Sequence, residues 1–429
     1  MMNYYKYPDK ASLHQLLLRP EKEQQSLEAT VALVFDAVKE KGDVALLEYT
    51  RKFDGADLAT VRVSQNDIDA SEEKIDKSLR SAMEIAMNNI AKFHSAQKEE
   101  VKMIDTNPGV TCWRESKAID KVGLYIPGGT APLFSTVLML GVPAKLAGCA
   151  RIVLCSPPDK TGNIHPAILY AAKLIGISEV FAVGGIQAIA AMTFGTETVP
   201  AVHKLFGPGN QFVTAAKQFA LRKGVAIDMP AGPSEVLVVA DDSADPDFVA
   251  ADLLSQAEHG ADSQVLLLCF SGDFVANVQS ALKQQLENLP RKELARAALE
   301  HSKIIELRSV AEAIDVINEY APEHLILQVE DEGEYLENIR NAGSVFIGKY
   351  TPESAGDYAS GTNHTLPTNG FARSYSGVSL DSFVRKITFQ RISPKGLQSL
   401  GPAIELMAEA EELEAHKNAV TIRLKKLNA

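Results

Sequence analysis

The spacing of apolar residues along this chain changes character twice. From about residue 21 to 102 they recur at three- and four-residue intervals, as Val31, Val34, Phe35 and Val38 do in SLEATVALVFDAVKEKGDVALLEYTRKF, and this predicts packed helices. The texture then shifts to short apolar runs ended by glycine or proline, VGLYIPGG, RIVLCSPP, SEVFAVGG and HKLFGPGN. Helix-like stretches such as HPAILYAAKLIG and QAIAAMTFG separate them, so βα units are predicted. A second series follows: SEVLVVAD, SQVLLLCF, KIIEL, HLILQV and GSVFIG. Runs that are apolar throughout suit strands buried on both faces of a parallel sheet covered by helices. From roughly 379 the strands are expected to stop, leaving a helical tail whose Leu413, Val420, Leu424 and Leu427 form a stripe that must pack on its own chain or on another.

The fold class expected is α/β, with two Rossmann-like βα domains, parallel sheets, and small N-terminal and helical C-terminal segments. No strict sequence repeat proves a duplication. Ligands in such sheets bind beyond the carboxyl ends of the strands, where the glycine-rich turns cluster. A length of 429 residues fits more than one core. The balance of 43 basic against 55 acidic residues, a formal charge of −12, repels polyanions and argues against nucleic acid or an anionic membrane as partner. The start, MMNYYKYPDK, has no basic region followed by an apolar run, and no stretch of roughly 18 apolar residues occurs; a cytoplasmic protein is expected. Cys112, Cys149, Cys155 and Cys269 lack C-x-x-C spacing and read as reduced thiols, three of them in or beside apolar runs.

Candidate chemistry lies in motifs far apart in sequence. Gln256, His259, Asp357 and His416, in SQAEHG, SAGDYASGTNH and EAHKNAV, offer two imidazoles, one carboxylate and one amide oxygen, a ligand set for a borderline divalent metal. Glu323 and His324 in APEHL stand apart as acid and base. A solitary histidine is more often structural than a ligand, so the weight rests on the grouping. If SQAEHG is helical, Gln256 and His259 share a face; the alternative is a solvated helix end before Gly260. On an extended strand Glu323 and His324 would point to opposite faces, so Pro-Glu-His should be a turn or a strand end. No G-x-G-x-x-G follows the first strand. Even so, LYIPGGTAPLFS and FGPGNQFV, at 124–135 and 206–213, are turns in which backbone amides can approach an anion.

In order along the chain, LYIPGG, VGGIQAIAA, FGPGN, DMPAGPSEVLV, LLSQAEHG, PEHL, GSVFIG, TPESAGDYASGTNHTLPT and AHKNAV resemble the bacterial histidinol dehydrogenases over nearly the whole sequence. That resemblance implies a homodimer oxidising L-histidinol through the aldehyde to L-histidine, with two NAD reduced in succession and one zinc per subunit. It implies zinc on Gln256, His259, Asp357 and His416, His324 as general base, and Glu323 activating water. Substrate contacts would come from Ser234, Gln256, His259, His324, Asp357, Glu411 and His416, and cofactor contacts from Tyr125, Gln187 and Asn210. His416 and Glu411 would be supplied across the dimer interface, and His364 would have a supporting role. The organisation expected is an N-terminal segment 1–20, a first Rossmann-like domain of 21–121 with 235–378, a second of 122–234, and a tail 379–429 exchanged between subunits. On an unbroken helix Glu411 and His416 would stand roughly 140° apart, so the helix breaks between them or Glu412 takes the role. The competing readings are a zinc-dependent hydrolase, weakened by the absence of H-E-x-x-H, and a non-catalytic metal- or nucleotide-binding protein.

Overall fold

The computed structural model describes residues 2–19, 25–128, 132–230 and 232–428. The chain separates into two compact units, residues 1–96 with 119–383 and residues 97–118 with 384–429.

The first unit opens with Asn3–Lys6 (β1) and Lys10–Leu16 (α1). The helices Gln25–Lys41 (α2), Asp43–Phe53 (α3), Gln65–Ala70 (α4) and Lys77–Ser95 (α5) follow, where helical spacing predicted them. The strands Ile104–Asn107 (β2) and Val110–Ala118 (β3) belong to the second unit. Next comes an alternating series: Lys121–Tyr125 (β4), Phe134–Ala147 (α6), Arg151–Ser156 (β5), Pro166–Ile175 (α7), Glu179–Ala182 (β6), Gly185–Phe194 (α8), Lys204–Phe206 (β7), Gln211–Arg222 (α9) and Ala226–Ile227 (β8). Its strands form a parallel sheet in the order β6-β5-β4-β7-β8. Consecutive residues of β5 serve opposite cores. Ile152 and Leu154 pack with α4, α5, α6 and α7, whereas Val153 and Cys155 pack with α2, α3, α8 and α9.

The second series is Glu235–Ala240 (β9), Pro246–Ala257 (α10), Gln264–Cys269 (β10), Gly272–Leu286 (α11), Lys292–Glu300 (α12), Lys303–Glu306 (β11), Val310–Tyr320 (α13), His324–Gln328 (β12), Gly333–Asn338 (α14) and Ser344–Ile347 (β13). It forms a parallel sheet in the order β1-β11-β10-β9-β12-β13. Without the edge strand β1, both sheets have the same winding: each starts with its middle strand, adds two strands on one side and then reverses to add two on the other. One face of the larger sheet packs under α10, α11 and α12, and the other under α13 and α14.

Two expectations about organisation need correction. Residues 21–121 were grouped with 235–378, but helices α2 to α5 cover the five-stranded sheet, because their apolar stripes meet β4, β5 and β6. The tail is also not helical from 379. Val384–Ile392 (β14) is a nine-residue strand paired antiparallel with β3, which pairs with β2. This sheet is largely solvated, so its sequence, VRKITFQRI, has none of the continuous apolar character that marks the buried strands. The second unit then ends in two helices, Pro394–Ala410 (α15) and Glu414–Leu427 (α16), in contact where Leu424 and Val420 lie against Gly401.

Candidate active site

Ligand sites were expected at the carboxyl ends of the strands. In the six-stranded sheet the candidate residues instead gather at the amino ends of β9 and β12, beneath the last turn of α10. Ala321, in a left-handed conformation (φ 52°), ends α13 and returns the chain to the sheet. Glu323 therefore lies just before β12 and His324 on its first residue, so the requirement for a strand end is met. Both side chains are buried.

They converge on the backbone of one residue, Glu235. Glu235 is the first residue of β9, and β12 begins one position too late to bond its backbone; His324 is in register with Val236. The N–H of Glu235 donates to Glu323 Oε2 at 3.0 Å. Its carbonyl lies 3.2 Å from His324 Nδ1 and accepts from Gln256 Nε2 at 3.3 Å. A carbonyl only accepts, so His324 Nδ1 carries the proton and Nε2 is left as the basic lone pair. That Nε2 faces Asp357 Oδ1 at 3.5 Å. The second N–H of the Gln256 amide goes to Glu323 Oε2, also at 3.3 Å. With both amide hydrogens committed, Gln256 Oε1 points away from these acceptors.

Asp357 sits in a π-helical turn, Ala355–Ala359, a widening of the helix that recurs at functional sites. Donor atoms of His259, Glu353 and Asp357 lie within 4.8 Å of one another. Gln256 Oε1, His324 Nε2, Glu353 Oε2 and Asp357 Oδ1 are all buried without a hydrogen-bond partner among the described residues. Unsatisfied polar atoms are costly to bury, and several in one neighbourhood fit a divalent cation as the missing partner. Burial pushes the Glu323 and Glu353 carboxyls up to about 8. Burial opposes charge on His324 too, but Glu353, Glu323 and Asp357 outweigh it and hold the imidazole well above its ordinary pKa.

Sequence reasoning missed Glu353. Its four-residue spacing from Asp357 was the available signal, since such a pair shares a helical face. His364 connects the site to the other sheet: its Nδ1 donates to the Asp357 carbonyl at 2.9 Å, and its Nε2 accepts from Thr136 Oγ1 on α6 at 3.1 Å. Ser234 immediately precedes Glu235 and is partly exposed.

The cofactor candidates lie at the carboxyl ends of the five-stranded sheet, around the reversal between β4 and β7, the usual ligand crevice. Tyr125 ends β4; its hydroxyl accepts from Gly185 N at 3.2 Å, and burial pushes its pKa up to about 12. Gln187, on the first turn of α8, is buried with Oε1 unpartnered among the described residues. Asn210 caps α9, accepting from the N–H groups of Phe212 and Val213. At Gly207, with φ 128°, a Cβ would come within 2.1 Å of the Tyr125 carbonyl oxygen, so only glycine lets this turn lie against β4. The cysteines are free; Cys149, Cys155 and Cys269 are buried, and burial raises each thiol pKa.

The remaining candidates belong to the second unit. Helix α15 ends at Ala410, Glu412 is left-handed (φ 60°), and α16 starts at Glu414. The helix therefore breaks between Glu411 and His416, which removes the angular objection to Glu411. Both side chains are exposed.

Two doubly wound sheets, with an acid, a base and metal-type donors gathered at one of them and phosphate-suited turns at the other, form the framework of an oxidoreductase. The family model for histidinol dehydrogenase matches residues 17–424. The histidinol dehydrogenase of Bacteroides thetaiotaomicron is 58% identical over 427 residues, spanning 100% of both chains; that of Escherichia coli K12 is 52% identical over 416 residues, covering 96% of this chain and 95% of its own. The crystal structure of the Elizabethkingia anophelis histidinol dehydrogenase superposes with a TM-score of 0.98 at 57% identity, covering 100% of this chain and 99% of that one. The chain belongs to the histidinol dehydrogenase family, and is an enzyme that oxidises histidinol in histidine biosynthesis.

Proposed function

We propose that the enzyme carries L-histidinol through L-histidinal to L-histidine in two NAD-linked steps, as a zinc-dependent cytoplasmic homodimer. The observation that carries this reading is the convergence of Glu323, His324 and Gln256 on the backbone of Glu235, with His324 Nε2 turned away from it toward Asp357. An alcohol gives up hydride as its hydroxyl proton leaves, and His324 Nε2 is the group to take it. The aldehyde can give up a second hydride only after water adds, and Glu323 is the carboxylate to activate that water. Tyr125, Gln187 and Asn210 would hold NAD, which would supply the hydride acceptor for each step. Zinc on Gln256, His259, Asp357 and the partner-supplied His416 would fix the substrate's nitrogens and, by balancing the surrounding carboxylates, favour neutral His324. Ser234 and Glu411 complete the substrate contacts.

The dimer is supported by exposed apolar side chains in the second unit, Leu406, Met407, Leu413 and Ile422. Free thiols suit the reducing cytoplasm. No described helix is long and apolar enough to cross a membrane.

The test is the stoichiometry of NADH per histidinol, with and without chelator. Two NADH and full dependence on bound zinc are expected, with NAD binding retained in metal-free protein. One NADH with free aldehyde accumulating would refute the two-step reading, and unchanged turnover without metal would refute the ligand assignment.

A further inference from the structure

The side chain of Glu235 points to the sheet face opposite α10, away from the candidate metal ligands. It is buried there, yet its carboxylate is fully engaged. Arg19 donates to Oε2 from Nε at 2.8 Å and from Nη2 at 2.6 Å, and the Asn369 N–H donates to Oε1. Arg19 is held in turn: its Nη2 donates to the Tyr320 carbonyl at 2.8 Å, and its guanidinium lies 3.9 Å from the centroid of the Tyr320 ring. The Tyr320 hydroxyl donates to Gln264 Oε1 at 2.8 Å, in the neighbouring strand. A forked, stacked arginine on a carboxylate is directional, unlike a lysine charge.

A buried ion pair is weak evidence for stability, because an apolar pair of similar volume usually serves as well. This one is placed where it controls the chemistry. The Glu235 N–H and C=O, free of ladder bonds on the β12 side, hold Glu323 on one side and both His324 and Gln256 on the other. Rotation of the Glu235 backbone about its φ and ψ bonds would release both Glu323 and the His324 tautomer. We propose that the buried Arg19–Glu235 pair is the positioning device for the acid–base couple, clamping from the far side of the sheet the residue whose N–H and C=O orient Glu323 and His324. The proposal rests on the roles given to those two residues above; Arg19 and Glu235 are positioning residues and touch no substrate.

The test compares Arg19→Ala, Arg19→Lys and Glu235→Gln holoenzymes, with Glu323→Gln and His324→Asn measured alongside. The rates of histidinol and histidinal oxidation, the histidinol KM and the zinc content are followed. A sub-ångström to ångström displacement of reacting groups lowers rates by about 10- to 100-fold. Arg19→Ala should therefore lower kcat for both oxidations by about that factor, at near-normal KM and full zinc content, with Arg19→Lys recovering only part. Should Arg19→Ala fail to fold, Glu235→Gln, which keeps acceptors for Arg19 and Asn369, should still lower both rates by a smaller factor. A folded Arg19→Ala enzyme with kcat within twofold of wild type, or a loss that merely tracks missing zinc, overturns the positioning role. If Glu323→Gln and His324→Asn themselves keep full turnover, the underlying assignment has failed and this inference with it. If they are impaired while the Arg19 and Glu235 variants are not, only the inference has failed.

Discussion

Lys217→Met tests how the proposed cofactor turn is held. Lys217 and Asp228 form an ion pair with side chains 4% and 1% exposed. Between them they clamp Gly207: its N–H donates to Asp228 Oδ2 at 2.8 Å, and its carbonyl accepts from Lys217 Nζ at 2.9 Å. Methionine fills nearly the same volume without the charge. It leaves a buried carboxylate supported by the N–H groups of Gly207 and Met229, and a Gly207 carbonyl without its donor. Removing one partner of a buried pair costs about 3 to 5 kcal/mol, and the two retained hydrogen bonds place this case near about 3 kcal/mol. For a chain of this length each kcal/mol moves a melting midpoint by about 2 °C or less, so a fall of about 5 °C is expected. Because Gly207 lies against Tyr125, the loosened turn should also weaken NAD binding by about tenfold while the histidinol KM stays near normal. Thermal melts and NAD titration of the metal-loaded protein read the two effects, and Lys217→Met with Asp228→Asn, which leaves no buried net charge, should recover at least half of the lost stability. A single variant that melts within 1 °C of wild type and binds NAD normally would refute the clamp, as would a double variant less stable than the single one.

Glu323→Gln should slow histidinal oxidation by about 10² to 10⁴ and histidinol oxidation less, measured with each substrate separately; equal losses would give Glu323 another role. Subunit exchange between inactive His259→Asn and His416→Asn should restore about a quarter of wild-type activity, because half of randomly paired dimers are mixed and each has one intact site. No recovery after verified exchange means His416 acts in its own chain. Asp54, partly buried with Oδ2 unpartnered among the described residues, has its pKa raised by burial from 3.8 to about 6, so the folded state holds this proton more tightly than the unfolded one. That contribution to stability is full below pH 4 and lost as pH rises through 6. Asp54→Asn should therefore stabilise the protein at pH 7 by about 1 kcal/mol, after allowing for solvent screening, and the advantage should vanish below pH 4 in denaturant titrations.

The buried architecture was the most legible part of the sequence. Nine strands of the two parallel sheets coincide with apolar runs, because a strand covered on both faces confines polar residues mostly to its ends. Edge and solvated strands carry no such mark, and so β1, β2, β3, β8 and β14 were missed; NYYK and VRKITFQRI are mostly exposed. Glu323 and His324 were found from chemistry and resemblance, but their geometry depends on Ala321 and on the late start of β12, which no local pattern encodes. Arg19 and Glu235 were invisible for a different reason. They are separated by 216 positions, and although Glu235 stands in the DMPAGPSEVLV motif, nothing local pairs it with Arg19, so only the folded sheet joins them.

The edge strand β1 also bears on how the chain is made. Each of its residues pairs with one of β11 that lies 300 positions further along, so at a synthesis rate of about 5 to 20 residues per second the first strand waits about 15 to 60 s for its neighbour to be translated. Over that interval the five-stranded sheet, contiguous from β4 to β8, can close by itself, whereas Tyr4 and Tyr5 remain unpaired at the ribosome exit. This parallel pairing is thus made by a segment translated long before its partner. A fusion attached at that end would be carried through the whole wait and then brought to the sheet margin, which makes the choice of tag terminus a folding decision.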